Sequence, residues 1–205
     1  MKSPSVSAPR RTVIVLTGSP GGGKTTLLKE LDHDPRFAGR FVSLPEAIKY
    51  AHFLHIPNTE PLFQRVMVYL QMSLEDALDR ALGSEDNRPI LCHRGSLDPL
   101  AYWMRRGWNS EAFFDYTATT CDIHYRRYTA VIHLVTTADG APRAYQRWPQ
   151  AHRPETPEEA IQIDRLLQQA WGDHTHYVRI HNQNRDWEAK SEETKERLLQ
   201  LLVVG

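Results

Sequence analysis

The sequence predicts an α/β fold, a five-stranded parallel sheet flanked by helices. Three observations carry this prediction: short apolar runs recur at wide spacing, helical patterns lie between them, and a glycine-rich turn joins the first run to the first helix. The runs are apolar throughout rather than alternating, which is typical of strands covered on both faces. The predicted strands are Thr12–Thr17, Arg40–Leu44, Pro89–Cys92, Ala130–Val135 and Tyr177–Ile180, of which Arg40–Leu44 is the weakest.

Helices are predicted from apolar residues at helical spacing and from capping residues. Ser96 is placed to cap a helix with Pro99 in its first turn, and Thr156 with Glu159 has the form of a capping box. Strands that alternate with helices favour a parallel sheet. The predicted helices are Lys24–Leu31, Glu60–Leu82, one that begins near Ser96, one from Thr156 to about Trp171, and Trp187–Val203.

Length and charge limit the class of protein. The chain has 205 residues, enough for one domain, and its 25 basic and 25 acidic residues cancel. Balanced charge without a long basic run argues against a general binder of nucleic acid, and no apolar stretch approaches the roughly 20 residues of a membrane span. Residues 1–11 are polar, without a signal core, and are predicted to be a disordered arm before a single domain over 12–205. Because two cysteines give no disulfide framework, we expect a soluble, cytoplasmic protein.

The strongest motif lies between the first strand and the first helix. It reads Gly18-Ser19-Pro20-Gly21-Gly22-Gly23-Lys24-Thr25, fits the phosphate-binding pattern G-x-x-x-x-G-K-[ST] at every position, and is followed by Thr26. Glycines let the backbone fold around phosphate oxygens, and the helix N-terminus adds partial positive charge. We expect Lys24 to reach the β- and γ-phosphates and Thr25 to offer its hydroxyl to Mg²⁺. The sequence therefore predicts that residues 18–26 bind ATP with Mg²⁺.

Other nucleotide-binding classes lack support in the sequence. No NKxD run is present, which argues against guanine recognition of the small-GTPase type, and no LSGGQ-like stretch points to a transporter ATPase. The strand Pro89–Cys92 does not end in an acidic residue, and the chain is short for a ring-forming motor. A small kinase remains, in which one compact domain holds nucleotide and acceptor together.

Further segments accompany this loop. They are Ser43–Ala47 (SLPEA), Cys92–Trp103 (CHRGSLDPLAYW), and a late block of Arg153–Thr156, Ile163–Asp164, Trp171–His174 and Ile180–Asn182. Together they resemble the AAA-type P-loop family whose relatives include the ribosylnicotinamide kinase domain of the NadR proteins and the TRPL translocation defect protein. The resemblance covers almost the whole chain after the arm, and the R-G-x-x-D-x-x-A-Y segment and the late block are its more specific parts. It implies a kinase-like fold and an ATP-dependent kinase or ATPase.

Four residues after the second and third strands are candidates for the acceptor side. Glu46 can accept a proton from an acceptor hydroxyl or bind it; alternatively it only favours a helix dipole. Arg94 can hold a phosphoryl group or acceptor oxygens in a fixed fork. Asp98 either pairs with Arg94 structurally or binds a Mg²⁺-bound water. His93 stands where related kinases usually carry Asp or Glu, so either Glu46 or Asp98 has the acidic role, or catalysis is weak.

Polar residues on the long predicted helix extend this candidate site. Gln64, Gln71 and Glu75 are spaced by seven and four residues and therefore share one face. In nucleoside kinases the equivalent helix lines the acceptor pocket, so Gln64 and Gln71 are candidate substrate-binding residues. The alternative is an ordinary solvated polar face.

A polar segment punctuated by prolines, residues 138–155, is predicted to be a mobile lid. It carries Arg143, Arg147 and Arg153. Arg147 and Arg153 are the candidates to close on the β- and γ-phosphates and offset charge in the transition state. The alternative is an exposed loop with surface arginines.

These residues together predict an enzyme that transfers a phosphoryl group from ATP to a small, hydroxyl-bearing, nucleoside-like acceptor. The predicted catalytic residues are Lys24, Glu46, Arg94, Asp98, Arg147 and Arg153. The alternative is a nucleotide-dependent switch that binds a protein or lipid partner and hydrolyses slowly. A closed acceptor pocket favours the kinase, and an exposed apolar patch near the lid favours the switch. We expect neither nucleic-acid binding nor membrane insertion, and the sequence leaves the oligomeric state open.

Overall fold

The five predicted strands form one parallel sheet. The computed structural model describes residues 11–147, 155–182 and 186–202, with only the backbone at residues 52, 146 and 147. The strand order is β2-β3-β1-β4-β5, and every neighbouring pair is parallel. The strands are β1 Val13–Thr17, β2 Val42–Leu44, β3 Ile90–His93, β4 Ala130–Leu134 and β5 Tyr177–Ile180. The predicted fold class is confirmed, and strand ends differ from the predicted ones by at most two residues.

Nine α-helices lie within the described residues. They are α1 Lys24–His33, α2 Ile48–Ala51, α3 Pro61–Leu82, α4 Asp98–Arg105, α5 Ser110–Thr117, α6 Cys121–Tyr125, α7 Pro142–Arg147, α8 Pro157–Trp171 and α9 Trp187–Leu202. Two single 3₁₀ turns, Pro35–Phe37 and His52–Leu54, complete the set within these residues. The short helices α2, α5, α6 and α7 were not predicted, because each has too few residues to show a clear apolar period.

Helices cover both faces of the sheet, which explains why its strands are apolar throughout. Val13 and Val15 of β1 face a core formed with α3, α4 and α8, where Trp171 is fully buried. Ile14 and Leu16, the alternating residues of the same strand, face a second core formed with α1 and α9. Side chains of a strand point to opposite faces in turn, so β1 is buried on both sides.

Capping signals predicted one helix start correctly and another wrongly. Thr156 and Glu159 form the predicted reciprocal capping box at the start of α8. The prediction that Ser96 caps a helix is wrong, because Leu97 is the N-cap residue of α4 and makes no side-chain cap. The Ser96 hydroxyl instead lies 2.8 Å from Nδ1 of the buried His124. A partner 28 residues further along the chain thus displaced the cap.

The strand order reverses at β1. The chain passes from β1 to β2 and β3 on one side and continues to β4 and β5 on the other. In open α/β sheets, ligands bind at the carboxyl ends of strands beside such a reversal. The loops that follow β1, β2 and β3 therefore meet at one edge of the sheet, which is where the phosphate-binding loop and the acceptor-side candidates lie.

The segment predicted to be a lid contains secondary structure. Residues 142–147 form the helix α7, while residues 148–154 lie outside the described part of the chain. Tyr145 of this helix donates a hydrogen bond from its hydroxyl to the Glu155 carbonyl oxygen at 2.9 Å. Within the described residues, no helix is both long enough and apolar enough to cross a bilayer.

Candidate active site

The loop after β1 has a backbone conformation that only glycine fits at key positions. Gly18 has φ of +135°, and a Cβ there would overlap the carbonyl oxygen of Leu134. Gly23, the N-cap residue of α1, has φ of +96°, and a Cβ there would overlap the ring of Trp187. Positive φ and close packing both exclude side chains. The loop therefore leads into the N-terminus of α1 as backbone without side chains at these positions. Such an arrangement can bind a phosphate group.

Two side chains at the start of α1 are placed for a triphosphate and its metal. Lys24 is buried, and its Nζ donates to the carbonyl oxygens of Gly18 at 2.5 Å and Ser19 at 3.1 Å. The ammonium thus lies over the loop where phosphate oxygens would sit. Thr25 is exposed in the first turn, and its hydroxyl makes no hydrogen bond with the described residues. These features fit the predicted roles of both residues.

A buried carboxylate fastens the loop to β4. Asp164 Oδ1 accepts a hydrogen bond from the Thr136 backbone N–H at 3.1 Å and lies 3.4 Å from the Ser19 nitrogen. His133 Nε2 is 3.0 Å from the same oxygen. Burial alone would raise the pKa of Asp164, but hydrogen bonds from His133 and the two backbone groups lower it below its usual value. The sequence marked Asp164 within a family segment but did not predict this role.

A buried lysine from the last helix supports the loop from another side. Lys190 of α9 is 1% exposed, and its Nζ donates to the Gly22 carbonyl at 3.1 Å and the Val135 carbonyl at 2.6 Å. It also donates to Asn182 Oδ1 at 2.8 Å. The Asn182 amide continues the network to the Thr136 carbonyl at 2.6 Å. Sequence reasoning missed Lys190, because a lysine on a polar helix has no distinguishing spacing.

Arg94 is the centre of the acceptor-side cluster. It directly follows β3 and has φ of +79°, a strained conformation for a residue with a side chain. Its Nε donates to Glu46 Oε1 at 3.1 Å, and its Nη1 donates to Asp98 Oδ2 at 3.1 Å. Its guanidinium carbon lies 5.6 Å from the centre of the Tyr102 ring. The Arg94 guanidinium therefore binds both of the carboxylates that were predicted as candidates for the acidic role.

Asp98 is buried and accepts hydrogen bonds from other residues of the fold. The Thr17 hydroxyl lies 2.9 Å from both carboxylate oxygens, and Trp171 Nε1 donates to Oδ1 at 2.8 Å. With Arg94, these contacts join the end of β1 to α4 and α8. Of the two roles left open by the sequence, the ion pair with Arg94 is present. Asp98 therefore holds Arg94 and the end of β1 together within the fold.

Glu46 and His93 are neighbours, and the pKa of each side chain is lowered. Burial would raise the pKa of Glu46, but Arg94 and other neighbouring cations lower it to about 2, so the carboxylate is ionised. Burial lowers the pKa of His93 to about 3, so its imidazole is neutral. His93 Nε2 lies 3.2 Å from Glu46 Oε1, yet the two are not aligned as a hydrogen bond, and Nε2 has no hydrogen-bond partner among the described residues.

A cavity of about 280 Å³ opens beside this cluster. It lies between α3, α4 and the turn after β2. Its polar wall includes Glu46, Arg94 and Gln64, and Phe63 and Tyr102 supply aromatic surface. Mostly apolar walls with a few converging polar groups are typical of small-molecule sites.

The polar face of α3 is buried, so its interpretation as a solvated face is wrong. Gln64, Gln71 and Glu75 are each at most 5% exposed. Gln71 Nε2 donates to Glu75 Oε1 at 2.9 Å and to the Arg94 carbonyl at 3.2 Å, which supports the strained turn. The Gln64 amide lines the cavity and makes no hydrogen bond with the described residues. Gln71 also lines the cavity, but its amide nitrogen already donates within the protein, so Gln64 has the amide that is more available to a ligand.

Glu75 belongs to the core rather than to the cavity. It accepts hydrogen bonds from the Tyr128 hydroxyl at 2.8 Å and from Arg127 Nε at 2.9 Å. Burial raises its pKa despite the opposing effect of Arg127. The shared spacing of the three polar residues therefore does not mean a shared role.

The lid arginines are placed only in part. Arg143 is exposed on α7. Arg147 ends that helix, but its side chain lies outside the description, and Arg153 lies outside the described residues entirely. Their contact with phosphate stays a prediction. The described part of the predicted lid does contact the phosphate-binding loop. The Tyr145 ring packs so closely on Gly21 that a Cβ atom there would lie 2.6 Å from it.

Comparison with known proteins identifies the family of the chain. The sequence matches the AAA domain family over residues 13–190, which is most of the chain. The chain therefore belongs to this family of P-loop proteins. A search of curated proteins found no match. The family, the fold and the loop together identify a nucleotide-binding P-loop domain of the NTPase or kinase type.

Proposed function

We propose that the protein transfers the γ-phosphoryl group of ATP to a small hydroxyl-bearing acceptor held in the cavity. The position of the cavity carries this proposal: Glu46 and Arg94 line it, and they follow β2 and β3 at the sheet edge where the phosphate-binding loop follows β1. Its volume of 280 Å³ is close to the lower end of the range of about 300–1,000 Å³ for ligand pockets, which favours one small molecule. A cytoplasmic location, where ATP is available, is part of the proposal.

A nucleoside-like acceptor agrees best with the wall of the cavity. The segments that contain Glu46 and Arg94 resemble those of the ribosylnicotinamide kinase domain, and Phe63 provides a ring against which a base can pack. The Gln64 amide offers both donors and an acceptor to the edge of a base. Since this amide makes no hydrogen bond with the described residues, a ligand would satisfy it.

Each residue then has a defined task. Lys24 holds the β- and γ-phosphates, and Thr25 would hold Mg²⁺, which neutralises phosphate charge when bound. Glu46, being ionised, orients the acceptor hydroxyl by accepting its hydrogen bond, and Arg94 fixes Glu46 in place. A pKa of about 2 makes Glu46 a weak base. Phosphoryl transfer requires little base strength, because its loose transition state depends mainly on positioning and electrostatic stabilisation.

An exposed apolar patch supports a second candidate function, the nucleotide-dependent switch. Tyr50, Phe53 and Leu54 are 47%, 72% and 49% exposed, and they lie just after the turn that lines the cavity. Exposed apolar side chains in a cluster are typical of interaction surfaces. In this alternative the nucleotide state would change the affinity of this surface for a partner.

Label transfer from ATP separates the two functions. The protein is incubated with γ-labelled ATP and a fractionated small-molecule extract, and labelled products are identified by mass. The kinase predicts label in a small molecule and no such product with Lys24→Ala. Release of labelled inorganic phosphate alone, at one rate with every fraction, would contradict the kinase and favour the switch.

A further inference from the structure

The imidazole of His93 has a buried nitrogen without a hydrogen-bond partner among the described residues. The side chain is 4% exposed, and Nε2 has no hydrogen bond within the described residues. A buried polar atom left in this way costs about 1–3 kcal/mol, and native structures rarely contain one without a reason. His93 ends β3 beside β1, one strand away from the loop that binds phosphate. The nitrogen is therefore placed to meet a ligand of that loop.

A carboxylate oxygen lies close to this nitrogen. Glu46 Oε1 lies 3.2 Å from His93 Nε2 without a hydrogen bond between them. Two ligands that each lie about 2.0–2.2 Å from one metal ion, at tetrahedral or octahedral angles, are about 2.8–3.6 Å apart. The observed distance falls in that range. Although Arg94 binds Oε1, a carboxylate has about four lone-pair sites, so the same group can also bind a metal.

We propose that His93 Nε2 and a Glu46 carboxylate oxygen directly bind the divalent cation that accompanies the nucleotide, and that the chain prefers Mn²⁺ or Co²⁺ to Mg²⁺. Mg²⁺ favours oxygen ligands and loses its waters reluctantly, whereas imidazole suits transition metals. The residues present therefore do not fit Mg²⁺ well at His93. This inference rests on the proposed nucleotide-dependent function and specifies its metal.

The charges around the pair predict when the metal binds. Three cations, those of Lys24, Arg94 and Lys49, make a positive charge at His93 unfavourable. The Glu46 carboxylate has the opposite effect. A divalent ion alone meets this repulsion, while a triphosphate on the loop would offset it. We therefore expect tight metal binding only when the nucleotide is present.

Pulsed electron paramagnetic resonance of Mn²⁺ tests the assignment. Mn²⁺ is added to the full chain with β,γ-methylene ATP, which contains no bridging nitrogen. We expect a nitrogen coupling from a directly bound imidazole, replaced by the ¹⁵N pattern when the protein is labelled with ¹⁵N-histidine. His93→Gln should abolish the coupling and lower the preference for Mn²⁺ over Mg²⁺, measured by competition, roughly tenfold or more. His33→Gln, at an exposed position on α1, should change neither.

The labelled wild-type protein gives an answer even where the variant does not fold. Nucleotide binding without any histidine coupling would overturn the metal assignment and leave the phosphoryl-transfer proposal intact. A coupling that persists in folded His93→Gln would also overturn it. Failure of the wild-type protein to bind the nucleotide would overturn both proposals, so the two failures are distinguishable.

Discussion

Lys24 Nζ donates hydrogen bonds to two carbonyl oxygens of the phosphate-binding loop, those of Gly18 and Ser19. We expect this ammonium to exchange these contacts for phosphate oxygens when nucleotide binds. Lys24→Ala removes the charge but keeps the glycines that shape the loop. We expect nucleotide affinity to fall at least about 100-fold, or about 2.7 kcal/mol. Titration with a fluorescent ATP analogue measures this, and affinity within threefold of the parent would contradict the site.

Glu46 offers a test of positioning against basicity. Since its carboxylate is ionised and a weak base, Glu46→Gln should keep nucleotide affinity but lower turnover by about 10²-fold, the lower end of the range for loss of a general base. The turnover of the parent should show no ionisation of this carboxyl between pH 5 and 8. A steep acid limb in that interval that disappears in the variant would assign Glu46 a raised pKa in the complex and contradict this account.

Arg94 serves two carboxylates with one planar fork, and lysine is not a substitute for that geometry. Arg94→Lys should lower turnover by about 10²-fold, as loss of a preorganised donor does in other enzymes. Arg88→Lys is the matched control, because Arg88 forms an exposed pair with Asp86 and should change turnover by less than twofold. Equal, small effects of the two variants would make Arg94 a structural residue only.

At the level of elements, α9 supports the phosphate-binding loop. Lys190 on this helix binds Gly22 and the end of β4 through buried hydrogen bonds, whereas Lys195 on the same helix pairs with Glu30 near the surface. These two lysines therefore separate support of the loop from the general stability of the helix.

Replacement of each lysine by methionine makes the comparison. Lys190→Met should lower the free energy of unfolding by roughly 2–5 kcal/mol and weaken nucleotide binding, because buried acceptors lose a charged donor. Lys195→Met should cost under about 1 kcal/mol and leave binding unchanged. Urea unfolding and nucleotide titration on both variants measure the difference. Equal losses of stability with unchanged binding would show that Lys190 does not shape the loop.

For the whole molecule, buried histidines make stability depend on pH. Burial lowers the pKa of His93 to about 3 and that of His124 to about 4, from the usual value near 6.5. The unfolded chain thus binds protons below pH 6.5 that the folded protein does not accept. Stability from these groups is fully present above pH 6.5 and is lost as the pH falls toward 4, by at most about 1.4 kcal/mol per pH unit for each histidine.

His93→Gln should therefore flatten the decline of the unfolding free energy between pH 6.5 and 4. His33→Gln, at an exposed position on α1, is the matched control. Urea unfolding at several pH values measures both. An unchanged slope in His93→Gln would mean that this imidazole accepts a proton in the folded protein.

The sequence by itself determined the features that depend on local signals. The five strands, the loop at residues 18–25 and the capping box of Thr156 each rest on residues a few positions apart, so propensity and spacing are sufficient to predict them. Glu46 and Arg94 were predicted to serve the acceptor side because they follow the second and third strands. The failed cap at Ser96 shows the limit, since its hydroxyl found a partner in the distant His124.

Only the tertiary structure decided which polar residues serve the fold and which face the cavity. Gln64 and Glu75 share one helical face, yet Gln64 lines the cavity while Glu75 is enclosed by Tyr128 and Arg127. The support of the loop by Asp164 and Lys190 likewise joins residues more than a hundred positions apart. The physical reason is that a hydrogen bond requires its two atoms to lie within about 3 Å, and for distant residues that separation is set by the packing of whole elements rather than by sequence spacing.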